Sequence, residues 1–222
     1  MSMEGTERMP NAVISTQRLP DISRRRVLQL SGAAFVLVSF AGRTFAQAAQ
    51  TPGAAFVKSA VDQLMAIVNK PGSPQGKHTE LTRVVEQNVD INEIAKFSLG
   101  RFWRTAAPEQ QKQYVTLFHD VLVNNITGKI GDYEGVRLVM GKSQMREDTE
   151  IVSTMVERPN NPPTNVDWVL STASGGPRVI DVIAEGTSLR LTQRQDYAAY
   201  LSRNNNNVQA LIDAMRQQLA AG

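Results

Sequence analysis

Two carboxylates, Asp181 and Glu185, stand four residues apart on a segment with strand character, and such a pair could serve general acid–base chemistry. On a strand, even spacing puts them on one face but leaves them well separated. That geometry suits a cap, or a partner for an arginine, better than a reacting pair. The chain has two histidines, His78 and His119, at unrelated positions, which is poor equipment for a metal site. His119 lies beside an apolar helical stripe, where a structural or exposed role is expected. Ser188 has neither a nucleophile-elbow context nor a paired histidine. There is no cysteine, so thiol catalysis, thiolate metal sites and disulfides are excluded. Met140, Met145, Met155 and Met215 form no cluster and read as gap-fillers. No catalytic residue, metal or cofactor is assigned.

The elements that must position these groups are helical first. Phe56, Val57, Ala60, Val61, Leu64, Ile67 and Val68 recur at the spacing of one buried helical face over residues 54–69. Pro71-Gly72-Ser73-Pro74 ends that helix, and a second is expected over residues 76–88 with Leu81, Val84 and Val85 inward. Asp90-Ile91-Asn92-Glu93 resembles a capping box and should open a short helix carrying Ile94, Ala95 and Phe97. Pro108 fits the first position of a long helix, where its missing N–H costs nothing. Tyr114, Leu117, Phe118, Val121, Leu122 and Ile126 give that helix a wide apolar stripe.

After Gly131 the period falls to two. Val136, Leu138 and Met140 alternate with Arg137 and Val139; residues 151–156 are a β-branched run; Val166, Trp168 and Leu170 alternate with Asp167 and Val169; residues 179–184 make a fourth strand. The breaks at Gly141-Lys142-Ser143, residues 159–163 and residues 174–177 are short, as in an antiparallel meander. Two helices, over residues 193–202 and 208–221, close the chain, parted by Asn204–Asn207. Helices, four strands and helices again predict an α+β fold. We expect an apolar cavity between helices and sheet, walled by the stripe of the long helix and by Leu138, Ile151, Val166, Trp168 and Val179. An enzyme of the isomerase or dehydratase kind would need an acid or base among those inward positions, and all five are apolar.

Residues 23–48 carry an export pattern. Ser23-Arg24-Arg25-Arg26-Val27-Leu28 has the paired Arg24 and Arg25 of a twin-arginine signal; an apolar stretch of about 12 residues follows, shorter than the roughly 20 a membrane-spanning helix needs. Ala46-Gln47-Ala48 is a small-x-small cleavage site, and Arg43 beside it fits the twin-arginine route. Residues 1–48 are therefore expected to leave as a leader, with residues 49–222 forming one domain. Six of the 24 basic and three of the 21 acidic residues lie in that leader, so the remainder holds 18 of each. A neutral chain argues against a nucleic-acid partner. The scarcity of aromatic residues argues against a stacking platform for bases or sugars.

Two segments resemble the MlaC/toluene-tolerance family. Leu99-Gly100-Arg101-Phe102-Trp103-Arg104, with Pro108-Glu109-Gln110 after it, is similar to the family's LGxxWR…PEQ segment. Asp181-Val182-Ile183-Ala184-Glu185-Gly186-Thr187-Ser188-Leu189 is similar to its DVxxEGVSL strand end, and Tyr133-Glu134-Gly135 opens the sheet between them. The resemblance spans nearly all of residues 54–220. It implies a periplasmic carrier that shuttles phospholipid between an outer-membrane lipoprotein complex and an inner-membrane ABC transporter, with transient membrane contact. A related branch accompanies hopanoid synthesis, so a hopanoid or isoprenoid lipid is the alternative cargo. The bland reading of Leu99, Gly100, Trp103, Arg104, Asp181, Glu185, Gly186 and Ser188 is structural: Gly100 ends a helix, Gly186 allows a turn off the sheet, and Trp103 packs. Thr187, Arg178, Leu191-Thr192 and the run Asn204–Asn207 depart from the family pattern, and the first two bear on ligand preference.

Overall fold

The computed structural model describes residues 51–128, 134–159, 161–172 and 175–221. The signal residues Arg24, Arg25, Ala46 and Ala48, together with Gly131 and Tyr133, lie outside these. Six α-helices are present among the described residues: α1 (Pro52–Asn69), α2 (Pro74–Asn88), α3 (Ile91–Leu99), α4 (Pro108–Thr127), α5 (Leu189–Arg203) and α6 (Val208–Ala221). A 3₁₀ segment, Gly100–Arg104, follows α3. The antiparallel sheet runs in sequence order, β1 (Arg137–Arg146), β2 (Thr149–Glu157), β3 (Thr164–Ser171), β4 (Arg178–Ala184) and β5 (Thr187–Ser188).

Local chemistry starts and stops the helices. Thr51, Ser73 and Asp90 each accept an N–H bond in the first turn of α1, α2 and α3, and proline occupies the first helical position of α1, α2 and α4. Ser73 with Pro74 begins α2 two residues earlier than the periodicity predicts, because the cap decides the start rather than the first apolar side chain. Gly100 closes α3 at φ +60°, and Asn205 and Asn206 turn the chain between α5 and α6 at φ 54° and 56°.

The sheet differs from expectation in two places. The described residues form five strands rather than four. Glu185 and Gly186 both have positive φ, the pattern of a two-residue hairpin, so the chain folds back onto β4 instead of leaving the sheet. Gly141-Lys142-Ser143 is not a break but a bulge inside β1, where the register shifts between Met140 and Ser143. A Cβ on Gly141 would lie 2.8 Å from the Ser153 carbonyl oxygen, so the bulge brings the backbones too close for a side chain.

The buried apolar residues divide into two clusters. The larger is helical: Ala95 and Leu99, Tyr114, Phe118 and Val121, Leu201, and Leu211, Ile212 and Met215 from α3 to α6. The Tyr114 hydroxyl, inside this cluster, donates to the Ala95 carbonyl at 3.0 Å. Burial, aided by neighbouring Tyr197, pushes its pKa well up, so the hydroxyl keeps its proton and stays a donor. The smaller cluster joins α1 to one face of the sheet.

Candidate functional site

Cross-strand pairing fixes which side chains share that sheet face. Leu138 pairs with Val156, Met140 with Thr154, Val152 with Trp168, Trp168 with Val182, Val166 with Ala184 and Leu170 with Val179. Paired residues point the same way, so Leu138, Met140, Val152, Val166, Trp168, Leu170, Val179 and Val182 form one apolar face. Ile151 pairs with Val169 and belongs to the opposite face, which corrects its placement among the inward positions. A one-residue phase error in the run 151–156 accounts for the difference.

The cover of this face also differs from expectation. Tyr114, Phe118 and Val121 lie in the helical cluster, with Leu117, Leu122 and Ile126 packed against it. The long helix therefore packs on other helices and does not oppose the sheet. Ala54, Phe56, Val57 and Val61 of α1 meet the sheet instead, and Val57, Val152 and Leu170 are almost wholly buried there. Among the described residues, Val89 is the one partly buried residue that packs against both clusters. Exposed apolar surface is costly in water, and α1 removes it by packing on this face.

Glu150 anchors the start of α1. Its side chain is buried, with 3 % of its surface accessible. It accepts hydrogen bonds from the Thr51 hydroxyl, from the Gly53 backbone N–H at 3.0 Å and from the Ser143 hydroxyl at 2.5 Å. A carboxylate at a helix N-terminus is favoured by the helix dipole and by the unpaired N–H groups there. A Cβ on Gly53 would fall 2.3 Å from the Glu150 carboxyl carbon, so any larger residue there would have to push the carboxylate off its hydrogen bonds. The sequence reading missed this group. Its signal is a lone acid alternating with Val152 and Thr154 at inward positions of β2.

Asp181, Glu185 and Ser188 have structural partners in this geometry. Asp181 is buried; its Oδ2 accepts from the Ser188 hydroxyl at 2.6 Å and lies 3.5 Å from Arg190 Nε, and its Oδ1 accepts from the Arg190 backbone N–H at 3.1 Å. Ser188 in turn caps α5 through Leu191 N–H. Glu185 accepts from Asn165 N–H at 2.5 Å. The two carboxylates thus fasten the β4–β5 hairpin and α5 rather than face a common reactant. Arg178 donates to the carbonyls of Glu86 and Val89 at 3.0 and 3.3 Å, tying β4 to the end of α2. Trp103 packs against the helical cluster, as Leu99 does. Trp168 Nε1 donates to Thr154 Oγ1, which donates to the Val166 carbonyl, so the polar atoms of the sheet face are satisfied.

His119 bridges α2 and α4 away from this face, with ring nitrogens 2.8 Å from Glu86 and 2.9 Å from Asp120. Partial burial pulls its pKa down, but the hydrogen bonds and charges of Asp120 and Glu86 outweigh that and the net shift is upward. A raised histidine pKa gives stability that is full below the unfolded value near 6.5 and is lost as pH rises through the folded value. Both acids are about half exposed, so the effect should stay below about 1 kcal/mol. Thermal melts from pH 5 to 8 should show this slope, and His119→Ala should abolish it.

An α+β domain whose apolar sheet face is closed by one N-terminal helix is the class defined by this geometry. The family model described as MlaC protein matches residues 58–217, well over half of the chain. The chain belongs to the MlaC family. Its fold is similar to that of a phospholipid-binding protein from Ralstonia solanacearum, solved in complex with a phospholipid: 24 % identity, 75 % of this chain and 96 % of that chain covered, TM-score 0.67. Among the described residues, no helix is long and apolar enough to cross a membrane.

Proposed function

We propose that this protein is a periplasmic phospholipid carrier that binds acyl chains against the sheet face now covered by α1. The observation that carries this reading is the face itself, formed by apolar side chains of four strands, β1 to β4, with α1 laid across it. Membership of the MlaC family and the phospholipid complex of the Ralstonia protein support it. In this reading residues 1–48 are a twin-arginine leader removed after Ala48. The carrier exchanges lipid with an outer-membrane lipoprotein complex and an inner-membrane ABC transporter.

The energetics suit a carrier. Two acyl chains of about 30 methylenes represent roughly 24 kcal/mol of transfer from water at ~0.8 kcal/mol each. A bilayer offers nearly the same gain, so the protein needs only to match it. Ala54, Phe56, Val57 and Val61 bury a few side chains worth about 1.5–3 kcal/mol apiece for the larger ones. Displacing α1 offsets part of what the acyl chains gain on the face, and its return over the face favours release. The reading involves binding, and no group is asked to react.

The test is recovery of the protein from the periplasm, with the mature N-terminus sequenced and solvent-extracted lipid identified by mass spectrometry. The expected result is a start at Ala49 and about one diacyl phospholipid per molecule. A hopanoid or isoprenoid lipid would change the cargo, and a preparation that never carries lipid would sink the carrier reading.

A further inference from the structure

The surface where α3, the 3₁₀ segment and α5 meet carries a cluster of cations that the structural account leaves unused. Lys96, Arg101, Arg104 and Arg194 surround an open depression of about 320 Å³ floored by Phe97, Gly100 and Trp103. All four cations are exposed. Among the described residues none of the four has a carboxylate within ion-pair distance, as is true of most cations of the chain. Aromatic rings lie beside three of the charges instead. The Lys96 ammonium lies 5.7 Å from the Trp103 ring centre, the Arg101 guanidinium 4.8 Å from that of Phe102, and Arg194 5.0 Å from that of Phe97. Gly100 makes room for Arg194: a Cβ there would sit 3.1 Å from its Nε.

We propose that this cluster is a docking surface for an anionic phospholipid bilayer. The proposal rests on the carrier reading above. Guanidinium groups match phosphate oxygens in geometry as well as charge, and the depression admits a phosphate head group. An indole beside the cations suits the bilayer interface, where an amphipathic ring is apolar on its faces and polar at its N–H. Trp103 Nε1 has no hydrogen-bond partner among the described residues and is free to meet a head group. Residues 49–222 balance 18 basic against 18 acidic side chains, so the cluster orients the molecule without giving it a large net charge. Each cation near an anionic surface changes partitioning about fivefold, or about 1 kcal/mol, and salt screens the attraction. Such docking is strong enough to present one face to the membrane and weak enough to reverse.

The experiment is flotation of the mature protein with vesicles of phosphatidylcholine alone or mixed with phosphatidylglycerol, with bound lipid measured on the same preparations. Wild type should prefer the phosphatidylglycerol vesicles, and Arg101→Ala with Arg104→Ala should weaken that partitioning about 25-fold, two cations at about fivefold each. The double variant should keep its bound lipid. Arg216→Ala with Lys142→Ala, which removes two cations elsewhere, should float as wild type. The proposal is overturned if wild type shows no preference for phosphatidylglycerol, which would leave an acidic protein as the reader of the cluster. It is overturned equally if the Arg101/Arg104 variant floats unchanged. Absence of bound lipid from every preparation would count against the carrier reading alone, since flotation reads the surface independently.

Discussion

Glu150→Ala should lower the melting temperature of the mature protein by about 6–12 °C and speed its exchange of labelled phospholipid with vesicles. The Glu150 carboxylate takes hydrogen bonds from Thr51, Gly53 and Ser143 in a buried setting. Bonds to a charged group contribute about 1.5–3 kcal/mol each, but the two hydroxyls can turn to other partners, so the combined loss should be about 3 kcal/mol. In a domain of this size each kcal/mol shifts the midpoint by about 2–4 °C. Glu150→Gln keeps the shape and one acceptor and should fall between. Gly53→Ala supplies an independent check with a distinctive sign. Alanine in place of glycine within a helix ordinarily stabilises by up to about 1 kcal/mol. Here the added Cβ meets the Glu150 carboxylate at 2.3 Å, so the variant should melt below wild type. A Gly53→Ala protein that melts higher would mean that Glu150 does not clasp α1.

The reason exchange should quicken lies in the order of the chain. α1 is tied to the sheet at its first turn through Glu150 and Gly53, and its later residues run on to α2. Loosening the first turn frees the end of the cover without touching the helical cluster that holds α3 to α6 together. A slower exchange in Glu150→Ala would argue that α1 guides lipid onto the face rather than blocking it.

The sequence was legible where one residue decides a local outcome. Pro108, Gly100, Asp90 and the asparagines at 205 and 206 punctuate the chain as expected, because caps and positive φ depend on near neighbours. Long amphipathic stripes were legible for a related reason: they repeat often enough to fix their phase. What they could not say is which partner each apolar face chooses. The stripe of α4 and the strand residues are both apolar, and nothing local distinguishes packing against each other from packing against α6 and α1. Short strands are weaker still. Residues 151–156 contain Ile151, Val152 and Met155 on both faces, so their pattern suits either phase, and only the pairing with β3 decides it. The bulge at Gly141 and the β4–β5 hairpin share this character, since each depends on a neighbouring strand. Of the site, Leu138, Val166, Trp168 and Val179 were found on one face, while its cover and its Glu150 anchor became visible only in three dimensions.

The same substitution at Val121 and at Val166 should separate core from binding face. Both valines are 8 % exposed, and tryptophan adds the same volume at each. Val121 sits in the helical cluster, where overpacking typically costs about 1–3 kcal/mol. Val121→Trp should therefore melt about 2–12 °C lower while each folded molecule keeps its lipid. Val166 stands on the sheet face two residues from Trp168, across from Thr154 and Ala184, and outside both packed clusters. Val166→Trp should place its ring where acyl chains would lie and reduce lipid per molecule severalfold, with a smaller change in melting temperature. The comparison turns on the ratio of the two readouts, because a general loss of stability lowers both together. If Val121→Trp loses the lipid and Val166→Trp retains it, the acyl chains lie among the helices, and the sheet face under α1 is ordinary core.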